Sequence, residues 1–144
     1  MKKILASLCT LLVVGVAIAQ PGGKPVGGNG PMIQLDKDVH DYGNIPQGAN
    51  GECAFVVTNI GDAPLILTNC KGSCGCTVPK CDTAPIAPGQ KSTITVRYDT
   101  KRVGPINKSV TITSNATNEA DKVVRIKGTV EGSAAPGGGE ATPQ

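Results

Sequence analysis

From Ile33 to Val130 the hydrophobic positions recur at every second residue. Ile94, Val96 and Tyr98 alternate with Thr93, Thr95 and Arg97, and Val110 and Ile112 with Thr111 and Thr113. Val124, Ile126 and Val130 alternate with Arg125, Lys127 and Thr129, and Gly128 takes an inward-phase place. Cys53, Phe55 and Val57 share one face, as do Leu65 and Leu67. Side chains of an extended chain alternate between faces, so this period marks strands with one face buried and one in water. No segment carries a helical stripe. Turn signals separate the runs: Asn59-Ile60-Gly61-Asp62-Ala63-Pro64, Ala87-Pro88-Gly89-Gln90 before a strand from Lys91, Gly104-Pro105 before a strand from Lys108, and a polar hairpin loop from Ser114 to Asp121. About seven short strands with such spacing predict an all-β fold, an immunoglobulin-like antiparallel β-sandwich over residues 32–131. Its aromatic content is limited to Phe55, Tyr42 and Tyr98, so Val, Ile and Leu must fill the core.

The ends of the chain read differently. Lys2 and Lys3 precede an apolar run from Ile4 to Ala17, and Ala17-Ile18-Ala19 supplies small residues at the −3 and −1 positions of a cleavage site. These features predict a signal peptide over residues 1–19, cut between Ala19 and Gln20, and hence a secreted or periplasmic protein. The run is short for a membrane anchor and no cationic stop-transfer cluster follows it. Bulky Leu8 before Cys9 makes a poor lipoprotein signal, and nothing after residue 20 is apolar enough to cross a bilayer. Residues 20–31 and 132–144 are Gly- and Pro-rich with almost no bulky apolar groups. Burial there cannot offset the entropy of ordering, which predicts a flexible linker and a disordered tail.

Charge narrows the partners. Of fourteen Lys and Arg, Lys2 and Lys3 leave with the signal, so twelve face eleven acidic residues, a balance of +1. That excludes a strongly basic surface for nucleic acid or anionic membrane. His40 is the only histidine. Asp41 beside it falls on the opposite face of a strand, so the two form no catalytic dyad. Without a second histidine there is no Ser-His-Asp set, no carboxylate pair flanks a pocket, and the glycine-rich ends lack the strand and helix of a phosphate loop. Two Asn-x-Ser/Thr sequences, at Asn107 and Asn115, are discounted as glycosylation sites because the signal is bacterial in style. The expectation is no catalytic residue and no cofactor.

The chemistry that stands out is thiol chemistry. After the signal five cysteines remain, Cys53, Cys70, Cys74, Cys76 and Cys81, and the last four occupy twelve residues of a loop after the Leu65–Leu67 strand. In an exported protein, clustered cysteines default to disulfides. Two rival readings stay open: redox-active thiols, because Cys74 and Cys76 could close a small strained ring, and a soft-metal site on Cys70, Cys74, Cys76 and Cys81. The loop has no histidine, and its spacing matches no familiar zinc module. Cys53, in phase with Phe55 and Val57, reads as a buried free thiol.

The ordered series His40-Asp41-Tyr42-Gly43-Asn44-Ile45, Phe55-x-Val57-x-Asn59-x-Gly61, Ala63-Pro64-Leu65, Ser73-Cys74-Gly75-Cys76-Thr77, Pro88-Gly89 and Thr113-Ser114-Asn115 resembles the DUF1573 group of bacterial secreted domains, itself similar to Hydin-type immunoglobulin-like modules. The resemblance runs from Val39 to Val130 and implies an extracytoplasmic sandwich. It places the His40–Gly43 run at the entry to the sandwich, fixing a turn. Cys74-Gly75-Cys76 matches the group's pattern, whereas Cys70 and Cys81 depart from it. Two unusual cysteines flanking one loop imply a Cys70–Cys81 bridge. The reading is a non-enzymatic structural or interaction module that meets a protein or cell-envelope partner, with no nucleic acid and, after signal cleavage, no membrane. Its alternative is a thiol-redox or soft-metal protein using the cysteine loop. Nothing in the sequence specifies an oligomeric state.

Overall fold

A computed structural model describes residues 28–133. The signal peptide, its Ala19/Gln20 cleavage site, residues 20–27 of the linker and the tail from residue 134 lie outside the described residues. Eight strands form in chain order: β1 (Ile33–Leu35), β2 (Val39–Pro46), β3 (Glu52–Asn59), β4 (Leu67–Gly72), β5 (Thr77–Lys80), β6 (Lys91–Tyr98), β7 (Gly104–Ser114) and β8 (Asp121–Glu131). Two four-stranded sheets result, ordered β1-β3-β6-β5 and β2-β8-β7-β4. No helix occurs among the described residues. The alternating positions face each other between the sheets. Phe55, Val57, Ile94 and Val96 come from the first, and Leu67, Val110, Ile112, Val124 and Ile126 from the second, all fully buried.

Two departures from the expected topology arise at the N-terminal end. The count is eight because residues 33–46 are split between the sheets. β1 pairs antiparallel with β3, and the chain then crosses at Asp36–Asp38 to become the edge of the second sheet. Asp36 holds the crossing: its N–H donates to Val56 O, and its carboxylate accepts Val56 N–H. Because the chain switches sheets without reversing, β2 lies parallel to β8, the one parallel pairing in an otherwise antiparallel sandwich. The register slips between Asp41 and Asn44. There Gly128, at φ +149°, has no room for a side chain: a Cβ would sit 2.8 Å from Gly43 O and 2.9 Å from Tyr42 Cβ.

Other boundaries also moved. β7 begins at Gly104 rather than Lys108. Pro105 is tolerated inside it because β4 covers β7 only from Val110 onward, so no neighbour on that side asks for its missing N–H. Leu65 makes an isolated bridge with Ile86, and the strand proper starts at Leu67. The last residues of the presumed flexible linker are fastened: Asn29 and Gly30 donate their N–H groups to the Asp62 carboxylate, and Pro31 O accepts Thr117 N–H. Side-chain acceptors supplied far along the chain stand in for the apolar burial this segment lacks.

Tyr42 ties the two sheets across their open side. Its hydroxyl donates to Gly51 O at 2.7 Å. Burial first, and neighbouring Cys53 next, push that hydroxyl well above its usual range, so it stays a donor. Tyr42→Phe should cost about 1 kcal/mol in urea unfolding by removing this bond between the sheets, with Gly51 O left to Tyr98 N–H alone. An unchanged midpoint would refute the assignment.

Candidate functional site

The four clustered cysteines do not occupy a free loop. Cys70 lies on β4, an edge of the second sheet, and Cys81 follows β5, an edge of the first. The strands cross at Gly72, where any Cβ would fall 2.0 Å from Thr77 O, so only glycine permits the approach. A tight turn over Cys74-Gly75-Cys76 joins them, closed by Thr77 N–H donating to Cys74 O at 3.1 Å. Ser73 anchors its start, donating its N–H to Ser109 O at 2.8 Å while its hydroxyl accepts Ser109 N–H at 3.2 Å.

Cys70 and Cys81 are bonded, Cα atoms 6.2 Å apart, as the departures from the DUF1573 pattern implied. The bond does more than pin a loop, because it staples one sheet to the other along an open side. Cys74 and Cys76 are bonded as well, with Cα atoms 5.3 Å apart. All four sulfurs are therefore oxidised, and no group of three or more His, Cys, Asp or Glu among the described residues is placed to hold a metal. Two of these sulfurs serve the sheet staple and two the turn. Among the described residues Cys53 is the free cysteine, buried on β3, and burial pushes its thiol up and keeps it protonated.

Beside the turn lies an open cleft of about 600 Å³, lined by Gly75, Cys76, Val78, Arg97 and Lys101 and closed on its far side by residues 48–51. Cys76 is 6% exposed, and Thr77 Oγ1 stands 3.9 Å from both sulfurs of the turn. Gly75 faces open space, with no atom within 4 Å of where a Cβ would be. The side chains around the cleft include no pair of carboxylates and no histidine.

His40 and Asp41 stay apart, as strand geometry requires. His40 packs edge-on against Tyr42, ring centres 4.6 Å apart, and burial, then the Lys37 charge, hold its pKa below the usual value. Asp41 pairs with Lys127 at 3.3 Å and accepts Gly43 N–H at 2.9 Å; the Gly43 bond first and Lys127 second lower its pKa. The His-Asp-Tyr-Gly run is thus strand rather than turn, with its bend confined to the bulge at Gly43.

The residues sequence reasoning passed over are four polar brackets at one end of the sandwich. Asn59, fully buried, donates to Ala63 O and Ile86 O at 2.8 Å each and accepts Gly61 N–H at 2.9 Å and Met32 N–H at 3.4 Å. Asn115 accepts Ile66 N–H and donates to Pro64 O, so this asparagine is structural. Asn118 binds both the N–H and the C=O of Ile33, and Asp62 holds Asn29 and Gly30. In sequence each looks like an ordinary turn residue.

Solved structures share this architecture. A protein of unknown function from Porphyromonas gingivalis W83 superposes with a TM-score of 0.64 at 17% identity, over 76% of this chain and 50% of that one. The VesB protease of Vibrio cholerae gives 0.57 at 18% identity, over 69% and 32%. The ASH/PapD-like domain 7 of human CEP192 gives 0.58 at 8% identity, over 86% and 99%. The chain thus spans half of the Porphyromonas structure and a third of the Vibrio one, and at these identities the likeness is one of fold. No curated protein matches the sequence. A family model does match residues 33–130, nearly the whole sandwich, and on that ground the chain belongs to the DUF1573 family of proteins of unknown function.

Proposed function

We propose that this chain is an exported, non-enzymatic interaction module that takes an extended segment of a protein or cell-envelope partner along the free edge of β2. The observation that carries the reading is the difference among the four sheet edges. β1 has three residues; β5 has four, with Pro79 among them; β4 is bound through Cys70 to the opposite sheet. β2 runs for eight residues with one side unpaired. Arg125 N–H donates to Asp38 O at 2.8 Å, so by alternation the N–H and C=O of Val39 and Asp41 point away from β8. Such groups are a template for another strand. Val39 is 43% exposed and shares the outer face with Val123, 45% exposed, which offers a small apolar foothold. The Asp41–Lys127 and Asp38–Lys122 pairs put charge along the edge, a common guard against indiscriminate self-pairing. Two disulfides support an oxidising, extracytoplasmic setting.

Val39→Pro removes one outward N–H without touching the β2–β8 ladder. In cross-linked pull-downs from cell-envelope extracts, the parent chain and a remote control, Val103→Asp, should recover the same partner, and Val39→Pro should lose at least about nine-tenths of it, the effect of roughly 1.4 kcal/mol. Equal recovery by Val39→Pro, with its thermal unfolding unchanged, would remove the β2 edge from consideration.

A further inference from the structure

The two disulfides differ in what they hold, and that difference assigns them different chemistry. Cys70–Cys81 joins strands of opposite sheets across eleven positions of sequence. Breaking it frees one sheet edge from the other, so its reduction opposes folding. Cys74–Cys76 joins residues two apart within one turn, and that turn is independently held by Thr77 N–H to Cys74 O and by the paired hydrogen bonds of Ser73 and Ser109. Its loss leaves both sheets in place. A Cys-x-Cys ring is also small by its covalent connectivity, and small rings are less resistant to reduction. The apex is open: Cys74 is half-buried, Gly75 is exposed with nothing beside it, and the adjoining cleft of about 600 Å³ can receive an approaching chain.

From this geometry we propose that Cys74–Cys76 is a thiol–disulfide exchange site whose substrate is a protein dithiol presented on an extended segment. A thiolate of that substrate attacks Cys74 Sγ, on the less buried of the two cysteines; the Cys74–Cys76 bond breaks and Cys76 leaves as a thiolate that takes up a proton. The second substrate thiolate then attacks the substrate's own sulfur in the mixed disulfide, and Cys74 leaves in turn. The substrate loses two electrons and becomes a disulfide, while Cys74 and Cys76 gain them and become thiols. Arg97 and Lys101 line the cleft with Cys76 and favour the departing thiolate. Asp99, also on the cleft, is occupied by Arg102 at 3.8 Å and by Lys101 N–H at 3.1 Å. The exchange is stoichiometric, one substrate dithiol oxidised as one Cys74–Cys76 bridge is spent, so it needs no turnover and stands beside the non-enzymatic docking at β2; neither reading depends on the other.

The test equilibrates the folded, oxidised protein in graded ratios of reduced to oxidised dithiothreitol, quenches in acid, and maps alkylated cysteines after denaturation. Cys74 and Cys76 should become alkylated at a ratio about tenfold or more below that needed for Cys70 and Cys81, with native circular dichroism retained through the first step. Simultaneous reduction of the two bridges, or earlier reduction of Cys70–Cys81, overturns the proposal. A second arm uses Cys76→Ser, which keeps the sheet staple: exposed to oxidised glutathione without denaturant, it should gain one glutathione, mapped to Cys74. Absence of that adduct in a folded variant overturns it equally.

Discussion

Replacing Asn59 by aspartate should destabilise the fold by roughly 3 kcal/mol or more at neutral pH, because it sets a carboxylate oxygen against two carbonyls. In the native chain the Asn59 amide nitrogen donates to Ala63 O and Ile86 O while its oxygen accepts Gly61 and Met32 N–H groups. The side chain is fully buried, so no water can substitute for the lost donors. Aspartate keeps the acceptor half of this arrangement and removes the donor half. The new carboxyl is stabilised only when protonated, which raises its folded pKa above the unfolded value of about 4. The sign follows: the variant is least impaired below about pH 4 and loses stability as pH rises through the raised folded value. Urea unfolding at pH 4 and pH 7 separates the two contributions. A loss under about 1 kcal/mol at pH 7, or one independent of pH, would mean that the bracket is not what closes this end of the sandwich.

Removing the sheet staple should cost a similar amount by a different route. Cys70→Ala with Cys81→Ala opens a loop of about a dozen residues, for which loop-closure entropy gives roughly 3 kcal/mol. A 100-residue domain of this kind has stability of only about 5–15 kcal/mol, so the double variant should melt roughly 10 °C or more below the parent. The matched pair Cys74→Ala with Cys76→Ala closes only three residues and should lose about half as much. Calorimetry of the two variants side by side provides the check. Equal losses would contradict the division between a bridge that holds the sheets and a bridge that only spans a turn.

The aromatic-poor core makes these polar and covalent devices consequential. Phe55 is the one fully buried aromatic, and Tyr98 and Tyr42 sit nearer the rim. Most of the remaining interior is aliphatic, supplied largely by alternate residues of six strands. Such a core specifies which face of each strand points inward, but leaves the sandwich ends and open sides to be closed by hydrogen bonds and disulfides. Asn59, Asn115 and Asn118 do so at one end, Tyr42 and the Cys70–Cys81 bond along the sides.

Alternation alone was enough to read β3, β6, β7 and β8, since each presents one face to the core and shows it as every-other-residue hydrophobicity. It also placed Cys53 beside Phe55 and Val57 in the buried set. It could not reveal β1 and β2 as separate strands, because the break at Asp36–Asp38 is made by bonds to Val56 that have no local signature. β2 also shows mixed burial along its length, as an edge strand with a bulge does. Cys74-Gly75-Cys76 reads as a loop in sequence, yet its neighbours belong to two sheets. Which sheet a strand joins depends on partners far along the chain, as when Val39 meets Arg125, and for Gly72 on how closely another backbone passes. Local periodicity therefore determined what is buried in this protein. Long-range pairing decided what is joined, and with it which disulfide ties the two sheets together and which only spans a turn.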